Sequence, residues 1–272
     1  MKVVPLTGRE PVEFDVINPS IWHGKEPPRR EWMVEGLFLK GTVAMLSGDG
    51  GLGKSLIMQQ LCSSAAIGRD WLGLDVVNGP ALMVACEDDQ DEMWRRQDRI
   101  NMDLMSSMNE MGEGGLMLKP RVGQDNDLCM LNRQTWKIIP TPLYQRLFNF
   151  CTYEGVKFVV IDTATATFAG NQNDERQVTT FIALLRQLAV AIQGVVIITK
   201  HPSLTGRANG TGESGSVTWN NSVRTRVYLR RDGDGNVSLK TMKSNYGSVD
   251  GNIALRWSSG VFVKEEGGGK WY

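Results

Sequence analysis

"GDGGLGKS", residues 48–55, has the form Gly-x-x-x-x-Gly-Lys-Ser. Glycines at 50, 51 and 53 let the backbone bend tightly enough to turn several N–H groups toward one phosphate, and a helix beginning near Lys54 adds the positive end of its dipole. In this pattern Gly48, Asp49, Gly50, Gly51, Leu52, Gly53, Lys54, Ser55 and Leu56 form a nucleotide cradle. Lys54 reaches the β- and γ-phosphates, and the Ser55 hydroxyl joins a Mg2+ shell. The flanks agree. "TVAMLSG" before the loop is a short apolar strand, and Ile57, Leu61 and Ala65 after it recur every four residues up to Gly68, a helix period with its stop signal. The loop says that a nucleotide binds; it does not say what the binding is for.

Further along, "PALMVACE", "VKFVVIDT" and "GVVIITKH" are apolar runs of strand length, and "NDERQVTTFIALLRQLAVAI" between the last two has an amphipathic helix period. "DDQDEMWRRQDRI" opens with acids that suit a helix N-terminus, with Asp88 or Asp89 as the cap. Alternating strands and helices predict an α/β fold with a mainly parallel sheet covered by helices on both faces. "SVRTRVYLRRD", "NVSLKTMKSN" and "IALRWSSGVFVKEE", separated by "GDGN" and "SVDGN", predict C-terminal antiparallel strands. Between 101 and 150 five methionines, Met102 to Met117, surround "GEGG" and read as core filling beside a loop. Five of the ten prolines fall in residues 1–30, which predicts an extended N-terminal arm there, one ATPase domain over 31–264, and a flexible tail over 265–272.

Bulk properties narrow the function classes. The 272 residues carry 30 Lys and Arg against 30 Asp and Glu, so any contact with nucleic acid is through a local patch and not through overall charge. Cys62, Cys86, Cys129 and Cys151 form no C-x-x-C pair, which favours reduced, buried thiols in a cytoplasmic protein over a disulfide framework or a zinc site. Neither a membrane-length apolar run nor a secretory signal is present, so no membrane partner is expected.

A phosphate loop needs an acid at the end of a buried strand. Asp162, closing "KFVVID", fits this role and would hold Mg2+, usually through water. Hydrolysis also needs a group that acts on water. Thr163 follows Asp162 where many ring ATPases carry Glu, so the base comes from elsewhere, and Glu87, at the end of "LMVACE", opens onto the same crevice in a parallel sheet. His201 ends the next strand on that edge and could sense the γ-phosphate. "DTAT" and "TKHP" stand where a GTPase would show D-x-x-G and N-K-x-D, which argues against guanine specificity.

The ordered set "GDGGLGKS", "ACEDD", "VVIDT", "IITKH" and "MKSNYG", with "PPRREWMVEGLFLKG" upstream, resembles RecA-fold ATPases of plasmids, phages and prophages, and among them the RepA-type hexameric replicative helicases. The resemblance covers roughly residues 30–260 and implies a RecA-like core, ATP with Mg2+ between subunits of a homo-oligomer, usually a hexamer, and single-stranded DNA in its channel. By the same resemblance Glu87 is the catalytic acid and His201 the γ-phosphate sensor. Arg224 is the arginine offered to the neighbouring subunit's ATP, with Arg226 as understudy. Arg96, Lys243 and Asn245 are further interface residues. The channel loops of the family are basic, whereas here 164–176 holds only Arg176 and 202–216 only Arg207. So few cations make few phosphate contacts. Three readings follow: a DNA motor or helicase of a mobile element, an ATP-gated DNA-binding or recombination-mediator protein without unwinding, and a regulatory ATPase with a protein partner.

Overall fold

The computed structural model describes residues 15–203 and 217–265, and the chain falls into two units, Met1–Arg30 and Glu31–Tyr272. In the first, Pro19–Trp22 make a single 3-10 turn capped by the Asn18 side chain, which accepts from the Ser20 N–H at 3.1 Å. Residues 1–14 of the expected arm and 266–272 of the expected tail lie outside the described residues.

In the second unit, β1 (Trp32–Val34) and β2 (Phe38–Leu39) pair before the main sheet. The strands that follow are β3 (Thr42–Gly48), β4 (Ala81–Ala85), β5 (Leu116–Pro120), β6 (Cys129–Asn132), β7 (Lys137–Pro140), β8 (Phe158–Asp162), β9 (Val195–Lys200), β10 (Thr225–Arg231), β11 (Val237–Ser244), β12 (Asn252–Ser258) and β13 (Val261–Lys264). All but β6 and β7, which form a separate antiparallel pair, join one nine-stranded sheet in the order β13-β12-β11-β10-β3-β9-β8-β4-β5. Every residue of β3, β4, β8 and β9 is buried. These are the apolar runs of the sequence, and they pair in parallel as strands covered on both faces do.

The helices are α1 (Lys54–Ile67), α2 (Gln90–Leu104), α3 (Met108–Glu113), α4 (Pro142–Tyr153), α5 (Ala164–Thr167), α6 (Glu175–Ala191) and α7 (Val217–Ser222). On one face of the sheet Leu46, Met83, Val160 and Ile197 pack with Ile57 and Leu61 of α1; on the other Met45, Val84, Ile161 and Ile198 pack with Phe181, Leu185 and Leu188 of α6. Asp89 caps α2, accepting from the Glu92 N–H at 2.8 Å. Gln59 of α1 donates to Gln97 of α2 at 2.9 Å, so a buried amide contact fixes one helix against the other.

The structure departs from expectation at several points. The sequence pattern assigns no helix or strand within 101–150, yet the segment carries α3, β5, β6, β7 and most of α4. A capping box, Ser107 with Glu110, starts α3 and was a readable signal. Nor do the methionines fill the core as a group. Met102, Met105 and Met108 are exposed and only Met111 is fully buried, because the α2–α3 turn, with Met105 in a left-handed conformation, lies at the surface. The segment before β10 forms α7; β10 pairs in parallel with β3 and antiparallel with β11, so the expected C-terminal antiparallel extension begins with it. Arg176 does not sit in a loop, because α5 and the first turn of α6 occupy much of 164–176. The four cysteines are buried, and burial pushes the Cys62 thiol up to about 12. No helix among the described residues is long and apolar enough to cross a membrane.

Candidate active site

Because β3, β4, β8 and β9 are parallel, their carboxyl ends share one edge. Loop residues 51–56, Glu87, Asp162, Thr163 and His201 meet there around a cavity of about 840 Å3. Two loop glycines are sterically required. A Cβ on Gly48 would lie 2.9 Å from the Leu229 carbonyl oxygen. Gly53 has φ +90°, and a Cβ there would lie 2.7 Å from the Phe262 ring. No side chain caps α1 at Gly53, so its first N–H groups are available to an anion.

Lys54 is buried at the start of α1. Its Nζ donates to the Gly48 and Asp49 carbonyls at 2.9 and 3.0 Å and stands 3.2 Å from His201 Nδ1. A charged ammonium has only donors, so Nδ1 accepts and the ring proton sits on Nε2. The P-loop lysine and the residue that follows β9 are thus in direct contact. Asp162 is 2% exposed, and its Oδ1 accepts a hydrogen bond from the Thr199 hydroxyl of β9. Ser55 and Asp162 line the same cavity and offer a hydroxyl and a carboxylate, the hard oxygen donors that Mg2+ takes. The donor set therefore fits that ion.

Glu87 follows β4, and the Cys86 N–H donates to the Asp162 carbonyl at 2.6 Å, which prolongs the pairing of β4 with β8. Glu87 is thereby set beside Thr163, whose hydroxyl donates to Glu87 Oε1 at 3.4 Å. Its neighbour Asp88 is committed elsewhere. Arg96 grips it with Nη1 and Nη2 at 2.5 and 3.0 Å and also holds Glu92 from Nε at 3.0 Å. Burial works against the Arg96 charge, but the hydrogen bonds and charge of Asp88, with Glu92 and Asp162, outweigh it and hold the guanidinium above its ordinary range. Arg96 thus lines its own chain's cavity and is paired with its own chain's acids.

The cavity continues past the P-loop. Trp257 of β12 lines it, 61% exposed, and packs edge-on against its cross-strand partner Phe262 with ring centroids 5.2 Å apart. Phe262 in turn rests on Gly53, so one continuous contact runs from the P-loop to an open indole face. Sequence reading missed Trp257 because nothing in "ALRWSSG" says that this hairpin folds back over residue 53.

Arg224 lies elsewhere. It precedes β10, and its N–H donates to the Val43 carbonyl at the start of β3, whereas Leu229 pairs with Gly48 at the end. Parallel pairing therefore puts Arg224 roughly 17 Å from the P-loop edge of its own sheet. Lys243 and Asn245 cluster with it. Lys243 Nζ donates to the Asn220, Asn221 and Val223 carbonyls at 2.8, 3.1 and 2.9 Å, closing the end of α7. With its amide turned so that the oxygen faces Arg224, Asn245 accepts from Nη1 at 3.0 Å. Arg226 is 3% exposed and its Nε donates to Asn220 at 2.7 Å, so it faces inward and does not stand ready as an understudy. Arg176 is exposed on the first turn of α6, and Arg207 lies outside the described residues.

Residues 10–207 match the family model described as AAA domain, AAA_25. That is well over half of the chain and includes the P-loop, Glu87, Asp162 and His201; the chain belongs to this family of P-loop ATPases.

Proposed function

Starting from a P-loop ATPase of the AAA domain family, we propose that the protein is a Mg2+-dependent ATP hydrolase that works as a head-to-tail homo-oligomer, a hexameric ring in the first instance. On this reading it is a motor or helicase on single-stranded DNA in the replication of a mobile element. One observation carries the oligomer: Arg224 stands at the end of the sheet away from its own P-loop. A guanidinium there cannot reach a phosphate bound at its own P-loop, so on this reading it acts on the nucleotide of another copy.

In this reading the loop N–H groups and Lys54 bind the triphosphate, and the adenine lies over Trp257. Ser55 and Asp162 would hold Mg2+, which would offset the negative charge of the phosphate oxygens. Glu87, oriented by Thr163, takes the proton of the attacking water. His201, touching Lys54, reports the γ-phosphate to the loop that follows it. Arg224 from the neighbour stabilises charge on the transferring group.

Arg224→Ala should assemble and bind ATP but hydrolyse about a thousandfold slower. Mixing it with Lys54→Ala protein should restore activity at interfaces that pair an intact P-loop with an intact Arg224. Full activity in the single variant, or no restoration in co-assembled mixtures, ends the shared-site reading. ATPase rate with and without single-stranded DNA, alongside mass determination with ATP, tests the DNA and ring parts. The sparse cations of the channel segments favour a second reading, an ATP-gated DNA-binding protein that does not unwind; strand displacement from a forked duplex separates the two.

A further inference from the structure

A cavity of about 420 Å3 opens between α6 and the junction of α7 with β10, lined by Arg186 and Arg224 together with Thr179, Asn221 and Ser222. Arg186 donates from Nη2 to the Ser222 carbonyl at 3.1 Å, while its Nε is buried and meets no acceptor among the described residues. Burial, and then the neighbouring charge of Arg224, holds Arg186 below the ordinary guanidinium range. Lys243 is lowered too, by burial and then by Arg224, Arg226 and Arg186. Among the described residues no carboxylate pairs with Arg186, Arg224 or Lys243. Glu175 lines the cavity as well, but it stands three turns, about 16 Å of helix, before Arg186.

Cations gathered without a counter-charge destabilise the fold that gathers them, and an incoming anion would relieve that cost. Two guanidiniums present donors in rigid forks, and the Thr179 and Ser222 hydroxyls, hydrogen-bonded to each other at 3.4 Å, leave one further O–H to donate. This donor set exceeds what the two oxygens of a carboxylate can accept and suits the three oxygens of a phosphoryl group. We infer that this cavity is an oxyanion site for the terminal phosphoryl group of a nucleotide bound to a second copy of the chain, with Arg186 clamping beside Arg224. The inference rests on the reading of Arg224 as a group that acts in trans; Arg186 is the addition.

The test uses the full chain. Arg186→Gln should lower ATP turnover about tenfold or more, with KM within about twofold of the parent, since the clamp acts on the transferring group and not on nucleotide binding. Mixing with Lys54→Ala should restore part of the turnover, and Arg186→Lys, which keeps the charge but loses the fork, should fall between. Parent-level turnover in Arg186→Gln overturns the inference. So does a loss that mixing fails to restore while Arg224→Ala is restored in the same assay; the trans reading of Arg224 then survives alone. If neither variant is restored, both readings fall. Loss of single-stranded DNA affinity with DNA-free turnover intact also overturns it and assigns the cavity to a nucleic-acid backbone. Should Arg186→Gln melt far below the parent, Arg186→Lys decides. Reduced turnover that mixing restores upholds the clamp, and full turnover in the folded protein removes it.

Discussion

The two ends of the sheet handle charge differently. At the P-loop edge the chain supplies both signs. Arg96 is answered by Asp88 and Glu92, and Lys54 shares its cavity with Asp162 and Glu87. At the other end Arg186, Arg224 and Lys243 gather with no acid paired to them among the described residues. A balanced site is assembled before its ligand arrives. An unbalanced one, on the proposed reading, is completed by an anion held on another copy. On the proposed reading, the contrast puts the catalytic acids on one copy and the stabilising cations on the next.

Four experiments can break or sharpen this contrast, from the largest expected effect to the smallest. Lys54→Ala should cut phosphate release by about a thousandfold, because it removes the cation at the transferring group; turnover near the parent level would dismiss the P-loop edge as the catalytic end. Glu87→Gln should retain ATP in an equilibrium binding assay while turnover drops about a hundredfold. An active variant would pass the role to Asp89, since Asp88 is committed to Arg96.

Trp257→Ala probes how far the P-loop end extends. A stacked base contributes about 1–3 kcal/mol, so ATP should bind about tenfold more weakly. Inorganic tripolyphosphate, which has no base, should bind equally to both proteins. Equal loss for the two ligands would mean that Trp257 supports the loop and not the base.

The smallest effect concerns Lys200, an exception at the P-loop edge. It is a buried cation held by Gln172 at 2.7 Å and by the Trp219 ring, 4.4 Å from its centroid, with no acid paired to it among the described residues. Burial lowers its pKa to about 8. A base depressed in the folded state releases its proton there first. Between about pH 8 and 10 the unfolded chain therefore binds more protons and stability rises with pH. Below about pH 8 the penalty is present in full. Chemical denaturation at pH 7 and 9.5 should show the parent gaining stability relative to Lys200→Met over that interval. A difference that does not change with pH would mean that the ammonium is charged throughout.

The P-loop end was the more legible in sequence, and the reason is local. A cradle is nine consecutive residues, and Glu87, Asp162 and His201 each end an apolar run, so parallel pairing alone carries them to one edge. The far end depends on contacts between distant segments. Lys243 closes a six-residue helix that the Gly- and Ser-rich stretch before it does not announce. Arg226 and Arg224 look interchangeable in "SVRTRVYL", yet they are two apart at the start of a strand, where burial admits one inward and leaves the other at the edge. Arg186 lies within an amphipathic helix and reads there as an ordinary polar-face residue. Its unanswered charge is visible only once α7 and β10 are packed against it. The exposed methionines misled for a related reason, since composition shows what could fill a core and not where a turn between two helices will fall.

The parallel register of β10 with β3 has a consequence that can be counted. Arg231, at one end of β10, lines the chain's own cavity; Arg224, at the other, does not. On the proposed reading every copy then carries one half-site of each kind, and contact between unlike halves would generate a row or a ring, not a two-fold pair. A row of n copies holds n − 1 complete sites, whereas a ring of n holds n. Turnover per chain should then climb as (n − 1)/n while rows lengthen with concentration and reach its full value when the row closes, so that specific activity reads out closure directly and an isolated pair of chains works at half the rate of the ring.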